Sequence, residues 1–176
     1  NLILLISSYL SPEIKHKRLK ESKISIRYQQ VSFEELEKQD RESLDQARMM
    51  SEKAYAPYSN FFVGASVLLA NGKRIGGNNQ ENAAYPSGLC AERVALFSAK
   101  SNFPSISVES VSIFIPAISG STIPSPCGAC RQVISEVQFA QQDPIRLLLM
   151  NSDEVVWVFN NASDLLPFSF TAHHLE

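Results

Sequence analysis

All three cysteines of this 176-residue chain fall in two short stretches, Cys90-Ala91-Glu92-Arg93 and Pro126-Cys127-Gly128-Ala129-Cys130-Arg131. Each stretch opens a segment that reads as a helix. The first runs from Ala91 to Lys100, with Val94, Ala95, Phe97 and Ser98 expected on its buried face; the second runs from Gln132 to Val137. A thiolate at a helix N-terminus is stabilised by the unpaired N–H groups and the helix dipole. Three such thiolates make a soft, negative, tetrahedral pocket with one corner empty. Three protein ligands and an open position is the arrangement of catalytic zinc, whereas structural zinc closes with four. Glu92 follows the lone cysteine by two residues, close enough to reach a water on such a metal without being a ligand.

Other readings of these residues compete. Three unconnected buried thiols would be an ordinary fate for free cysteine, but their spacing argues against it. A redox C-x-x-C pair explains neither Cys90 nor Glu92. A closed structural zinc site needs a fourth ligand, and the histidines, His16, His173 and His174, all stand in the tails. A zinc-binding interaction module without catalysis has no use for a carboxylate at Glu92. Arg93 fits the catalytic reading as well: three thiolates outweigh one Zn²⁺, and a cation donating to the sulfurs would offset the excess. A plain surface arginine is the alternative.

The pattern C-x-E followed by P-C-x-x-C resembles the zinc-dependent nucleoside and nucleobase deaminases, a class whose mechanism is a worked case of metal-activated attack on a base. The resemblance extends through Pro57-Tyr58-Ser59-Asn60-Phe61-Phe62-Val63-Gly64-Ala65, Glu81-Asn82-Ala83-Ala84-Tyr85, Cys90 to Arg93, and Ser125 to Val133, in the order found in cytidine deaminases and over about Asp40 to Phe170. It implies one zinc per chain held by Cys90, Cys127 and Cys130. It implies a hydrolase that converts cytidine and 2′-deoxycytidine to the uridine nucleosides and ammonia, in pyrimidine salvage, by a zinc-bound hydroxide with Glu92 as proton shuttle. It gives Phe61 the pyrimidine to pack on, and Asn79 and Glu81 the ribose 3′-OH. The Ala91 N–H would hold the base carbonyl and the Ser125 C=O the exocyclic amine, while Arg93 would balance charge. The three-cysteine type also implies a homotetramer in which Tyr85 and Phe170 reach a neighbour's pocket. A related zinc deaminase of another small aminopyrimidine nucleoside is the nearest alternative.

Composition sets the frame. A net charge of −2 with no basic stripe argues against a polynucleotide partner. Three cysteines make no disulfide framework and suit a reducing, cytoplasmic setting. The apolar run Leu2 to Leu10 is too short to span a bilayer and lacks the flanks of a signal peptide. No membrane partner is expected. Residues 1–22, including the basic run Lys15 to Lys20, read as a loosely ordered extension, and 23–176 as a single catalytic domain.

The elements that must carry the site follow from the pattern. A helix is expected from about Asp40 to Tyr55, burying Leu44, Ala47, Met50 and Ala54 and stopped by Pro57. Phe61 to Leu69 and Arg74 to Asn79 read as a hairpin around Asn71-Gly72. Strands follow at Val108 to Ile115, Ile145 to Met150 and Val155 to Phe159, and a helical turn at Asp164 to Pro167. The expected fold is an α/β, three-layer α/β/α sandwich with a mixed five-stranded sheet. Its last two strands must be antiparallel, because Asn151 to Glu154 is too short for a parallel crossover. In the family resembled, that geometry accompanies free-nucleoside deaminases. Lys23 to Val31, with Ile24, Ile26 and Tyr28 on one face, could add an edge strand, and Ser32-Phe33-Glu34-Glu35 has the form of a capping box.

Overall fold

The computed structural model describes residues 21–175. The runs Leu2 to Leu10 and Lys15 to Lys20, with His16, lie outside the described residues. In chain order the elements are β1 (Gln29–Ser32), α1 (Lys38–Ser51), β2 (Gly64–Leu69), β3 (Arg74–Asn78), α2 (Ala91–Asn102), β4 (Val108–Ile115), α3 (Gly128–Gln141), β5 (Arg146–Asn151) and β6 (Val155–Phe159). Along β4 and β5 successive side chains point to opposite faces, as strand geometry requires. Val111, Ile113, Ile115, Leu147 and Leu149 pack with Ala91, Ala95 and Ala99 of α2 and Ile134 of α3. Phe114, Leu148 and Met150 pack with Leu44 and Ala47 of α1. The sheet is therefore buried on both faces, and the three-layer α/β/α arrangement is as expected.

The sheet has six strands, not five, in the order β1-β6-β5-β4-β2-β3. β4 and β5 are parallel; β5 and β6 are antiparallel, as their short connection demands. The Asn151 side-chain oxygen accepts the N–H groups of Asp153 and Val155 and so shapes that turn. The sixth strand is β1, paired antiparallel to β6 from Gln29↔Val158 to Ser32↔Val155. It forms because β6 would otherwise present unpaired backbone, and because Tyr28 stacks over Trp157 and Phe159, with ring centroids 4.7 and 5.4 Å away. The strand is shorter than the alternation at 23–31 suggested; Ile24 and Ile26 stay largely exposed. Just beyond it the Glu35 carboxylate accepts from both the N–H and the hydroxyl of Ser32, at 2.7 and 2.9 Å, as the capping pattern foretold.

All three helices differ in detail from their sequence pattern; α3 runs over Gly128–Gln141, longer at both ends than the expected Gln132 to Val137. α1 ends at Ser51, short of Pro57. The chain leaves the helix because Tyr55 pairs with the segment after β3: its N–H donates to the Asn79 carbonyl and its own carbonyl accepts from the Glu81 N–H. On α2 the buried residues are Ala91, Glu92, Ala95, Leu96 and Ala99, while Phe97 is 49% exposed. Close packing explains the alanines. A Cβ on Gly77 of β3 would lie 2.5 Å from the Ala95 nitrogen, so strand and helix backbones nearly touch and only small residues fit between them. Gly64 does the same against α1, where a Cβ would meet the Ala47 carbonyl oxygen. The Asn71-Gly72 hairpin turn forms as expected, with Gly72 at φ +79°. Among the described residues no helix is long and apolar enough to cross a membrane.

Candidate active site

α2 and α3 start side by side. Cys90 is the N-cap of α2, Cys127 the N-cap of α3, and Cys130 lies in the first turn of α3. Their sulfurs all fall within 4.8 Å of one another, with Cys90–Cys127 at 3.8 Å and Cys127–Cys130 at 3.5 Å. Two Zn–S bonds of about 2.3 Å at a tetrahedral angle put sulfurs ~3.8 Å apart. The donor set therefore fits Zn²⁺ in number, softness and spacing.

The electrostatics match. Hydrogen bonding from Cys130, with help from Arg93 and Cys127, pulls the Cys90 thiol down to about 5, while Cys130, the donor in that bond, is pushed up. Of these two thiols, Cys90 holds a negative charge the more readily. Arg93 lies beside it: its Nη2 is 3.9 Å from the Cys90 sulfur and 3.5 Å from the Gly88 carbonyl oxygen. Glu92 is 6% exposed, and burial raises its carboxyl above the usual carboxylate range.

A cavity of about 460 Å³ lies over these groups, lined by Phe61, Asn79, Glu81, Ala91, Glu92 and Ser125 together with Cys90 and Cys127. Every site residue expected from one chain is therefore gathered in one place or, like Cys130 and Arg93, directly beneath or beside it. Two of them are also tied to their own backbone. Asn79 accepts the Val63 N–H and donates to the Phe61 carbonyl, both at 2.8 Å, clamping the strand entry that carries Phe61. Glu81 accepts from the Tyr58 N–H and from the hydroxyl and N–H of Ser59. The Ser59 hydroxyl, first among these, holds its carboxyl below the usual range.

The two residues assigned to a neighbour's pocket behave differently. Tyr85 is 76% exposed, its ring 6.0 Å from that of Tyr58, at the rim of a second cavity that shares Ser59, Asn79, Glu81 and Cys90 with the first. Phe170 is 58% exposed and stacks on His174, while its carbonyl accepts from the Gln132 amide. It lines neither cavity of its own chain. Sequence reasoning gave Arg131 no role, yet it anchors the cavity wall: Nε donates to the Pro126 carbonyl at 2.7 Å, Nη2 to the Ser125 hydroxyl at 2.5 Å and Nη1 to the Leu165 carbonyl at 3.1 Å. The signal was its place in the first turn of α3, beside a Pro-Ser-Pro segment poor in donors.

Three thiols at two adjacent helix starts, under a cavity in a three-layer α/β/α domain, define a zinc-dependent enzyme class. Residues 37–142 match the family described as the cytidine and deoxycytidylate deaminase zinc-binding region. The chain is 40% identical over 138 residues to the cytidine deaminase of Halalkalibacterium halodurans, covering 78% of this chain and 98% of that one. Among solved structures it resembles cytidine deaminase from Burkholderia pseudomallei, with 38% identity and a TM-score of 0.64 over 73% of this chain and 97% of that one. The cytidine deaminase of Mycobacterium tuberculosis aligns with 29% identity and a TM-score of 0.57 over 73% of this chain and 94% of that one. The chain belongs to the cytidine and deoxycytidylate deaminase family, a family of zinc-dependent hydrolases.

Proposed function

We propose that the protein deaminates cytidine and 2′-deoxycytidine hydrolytically, giving uridine or 2′-deoxyuridine and ammonia, as a step of pyrimidine salvage in a reducing cytoplasm. The observation that carries this reading is the cavity that sets Glu92 and the thiol cluster against Phe61, Asn79, Glu81, Ala91 and Ser125. Cys90, Cys127 and Cys130 hold the zinc, one per chain. When bound, zinc supplies the Lewis acidity that makes a water acidic near neutral pH.

The chain's own residues do the rest. Glu92 would take one proton from the attacking water and pass it to ring N3, then take the second from the new hydroxyl on the reacting carbon and give it to the departing amine, which leaves as ammonia; a buried carboxylate can both accept and give within one turnover. Arg93, by donating toward Cys90, reduces the negative charge that would oppose that proton's departure. Phe61 packs on the pyrimidine. The Ala91 N–H, unpaired at the start of α2, donates to the base carbonyl, and the Ser125 carbonyl accepts from the exocyclic amine. An amide has two donors and two acceptor positions, and a carboxylate about four acceptor positions. Asn79 and Glu81 therefore retain capacity for the ribose hydroxyl beyond the backbone bonds they already make.

The same features favour a free nucleoside over nucleic acid, and residues 23–176 acting as one catalytic domain. Tyr85 and Phe170, exposed on an isolated chain, close a neighbour's pocket in a homotetramer. Incubation of zinc-loaded protein with cytidine, followed by ultraviolet absorbance and ammonia release, tests the reading. No turnover of cytidine or deoxycytidine by fully loaded protein would overturn it.

A further inference from the structure

We propose that Arg131 is a positioning residue that fixes the Ser125 carbonyl in the cavity wall, and so sets the preference for an amine over an oxygen at the reacting carbon. The inference rests on the reading of the cavity as a cytidine site. It begins with the sequence Pro124-Ser125-Pro126. Proline has no N–H, so this segment offers three carbonyls and one backbone donor, and it cannot hold itself by backbone hydrogen bonds. The residue before a proline is also confined to extended conformations, which keeps Ser125 out of any helical turn. A wall segment of this kind needs a donor from elsewhere.

Arg131 is that donor. Its guanidinium bonds the Ser125 hydroxyl and the Pro126 carbonyl, one on each side of the Ser125–Pro126 peptide. A third bond, to the Leu165 carbonyl, ties the same plane to the turn at Ala162–Leu165. Three donors on one rigid plane meet three acceptors in two segments, an arrangement that a lysine ammonium on a flexible stem cannot reproduce. The Ser125 carbonyl thus sits between two anchored points on a segment that lines the cavity. A fixed carbonyl accepts from the amine of cytidine and repels the carbonyl oxygen that replaces it in uridine. A carbonyl free to turn would lose the attraction and relieve the repulsion.

The test compares Arg131→Lys and Ser125→Ala with wild type as zinc-loaded protein, measuring zinc content, thermal stability, KM and kcat for cytidine, and Ki for uridine. Arg131→Lys should keep its zinc and raise the cytidine KM about tenfold, the scale of a lost charge-assisted bond. The uridine Ki should stay within about twofold of wild type or fall. Ser125→Ala, which removes one acceptor and no backbone, should move the cytidine-to-uridine ratio in the same direction by less. Equal weakening of both ligands, the mark of general loosening, would overturn the proposal, and so would an unchanged ratio. If Arg131→Lys does not fold, the ratio in Ser125→Ala decides. Wild-type turnover with an unmoved ratio sinks this inference alone; absence of wild-type turnover sinks the cytidine reading and this inference with it.

Discussion

The floor of the cavity and its aromatic rim are built on different principles. On the floor, Cys90, Glu92, Cys127 and Cys130 each stand in the cap or first turn of a helix; α2 is locked to the sheet by its alanines against Gly77, and α3 packs on the core through Ile134. Their positions follow from two helix starts. At the rim, Tyr85 lies in a short 3-10 turn, and away from the cavity Phe170 lies in the segment after Pro167, both mostly exposed. Within the chain Tyr85 meets the ring of Tyr58 and Phe170 stacks on His174. The floor is gathered in a single chain, whereas under the proposed function these rings would be completed by a neighbouring copy.

The sharpest way to break that contrast is to take the floor apart. Cys130→Ala removes the buried member of the thiol cluster, and it should abolish zinc retention and turnover together. Metal analysis with X-ray absorption on wild type should give about one zinc with three sulfur neighbours and one light atom. Four sulfurs, or active protein without metal, would mean the floor has been misread.

A smaller but still large effect is expected from Glu92→Gln. The amide keeps shape and burial but cannot cycle a proton, so turnover should fall by about two to four powers of ten while zinc content and fold persist. Retention of a tenth of wild-type activity would remove Glu92 from the proton path.

The rim is sharpened by complementation. Glu92→Ala has a dead floor and an intact Phe170; Phe170→Ala has the reverse. Co-refolded as mixed tetramers, they should be more active than the sum of the separate variants, because some pockets then combine a good floor with a good ring. Proven mixed assemblies with no gain would place Phe170 outside any shared pocket.

The mildest change is expected at Glu81, which lies between the two regions. Its Ala variant should narrow the preference for cytidine over free cytosine by about tenfold, the scale of one charge-assisted bond. It should also loosen the Tyr58–Ser59 turn that the carboxylate now holds. Competition between the two substrates reads the ratio directly, and an unchanged ratio would leave Glu81 with its structural duty alone.

The same contrast explains what could be read from the sequence. Helix starts are marked by local residues, so the thiol cluster and Glu92 were legible from spacing alone, as were the Asn71-Gly72 hairpin and the antiparallel β5–β6 pair. Phe97 was placed on the wrong face because a 3.6-residue pattern does not reveal that Gly77 brings β3 against the backbone of α2. The end of α1 was set by pairing between Tyr55 and the Asn79–Glu81 segment, residues more than twenty positions apart. Arg131 escaped because two of its three acceptors are backbone carbonyls, which side-chain identity never displays.

The pairing of β1 with β6 also bears on how copies of this chain can meet. An open β6 would offer a row of unpaired N–H and C=O groups, a template onto which another chain's strand could add. β1 occupies that row with four residues and then turns away at once into the 3-10 turn at Phe33–Glu35. What remains at that border is too short to recruit a partner strand, so growth of the sheet from copy to copy is blocked there. The other border of the sheet is β3, five residues long, so any strand-to-strand contact between copies would have to use that edge.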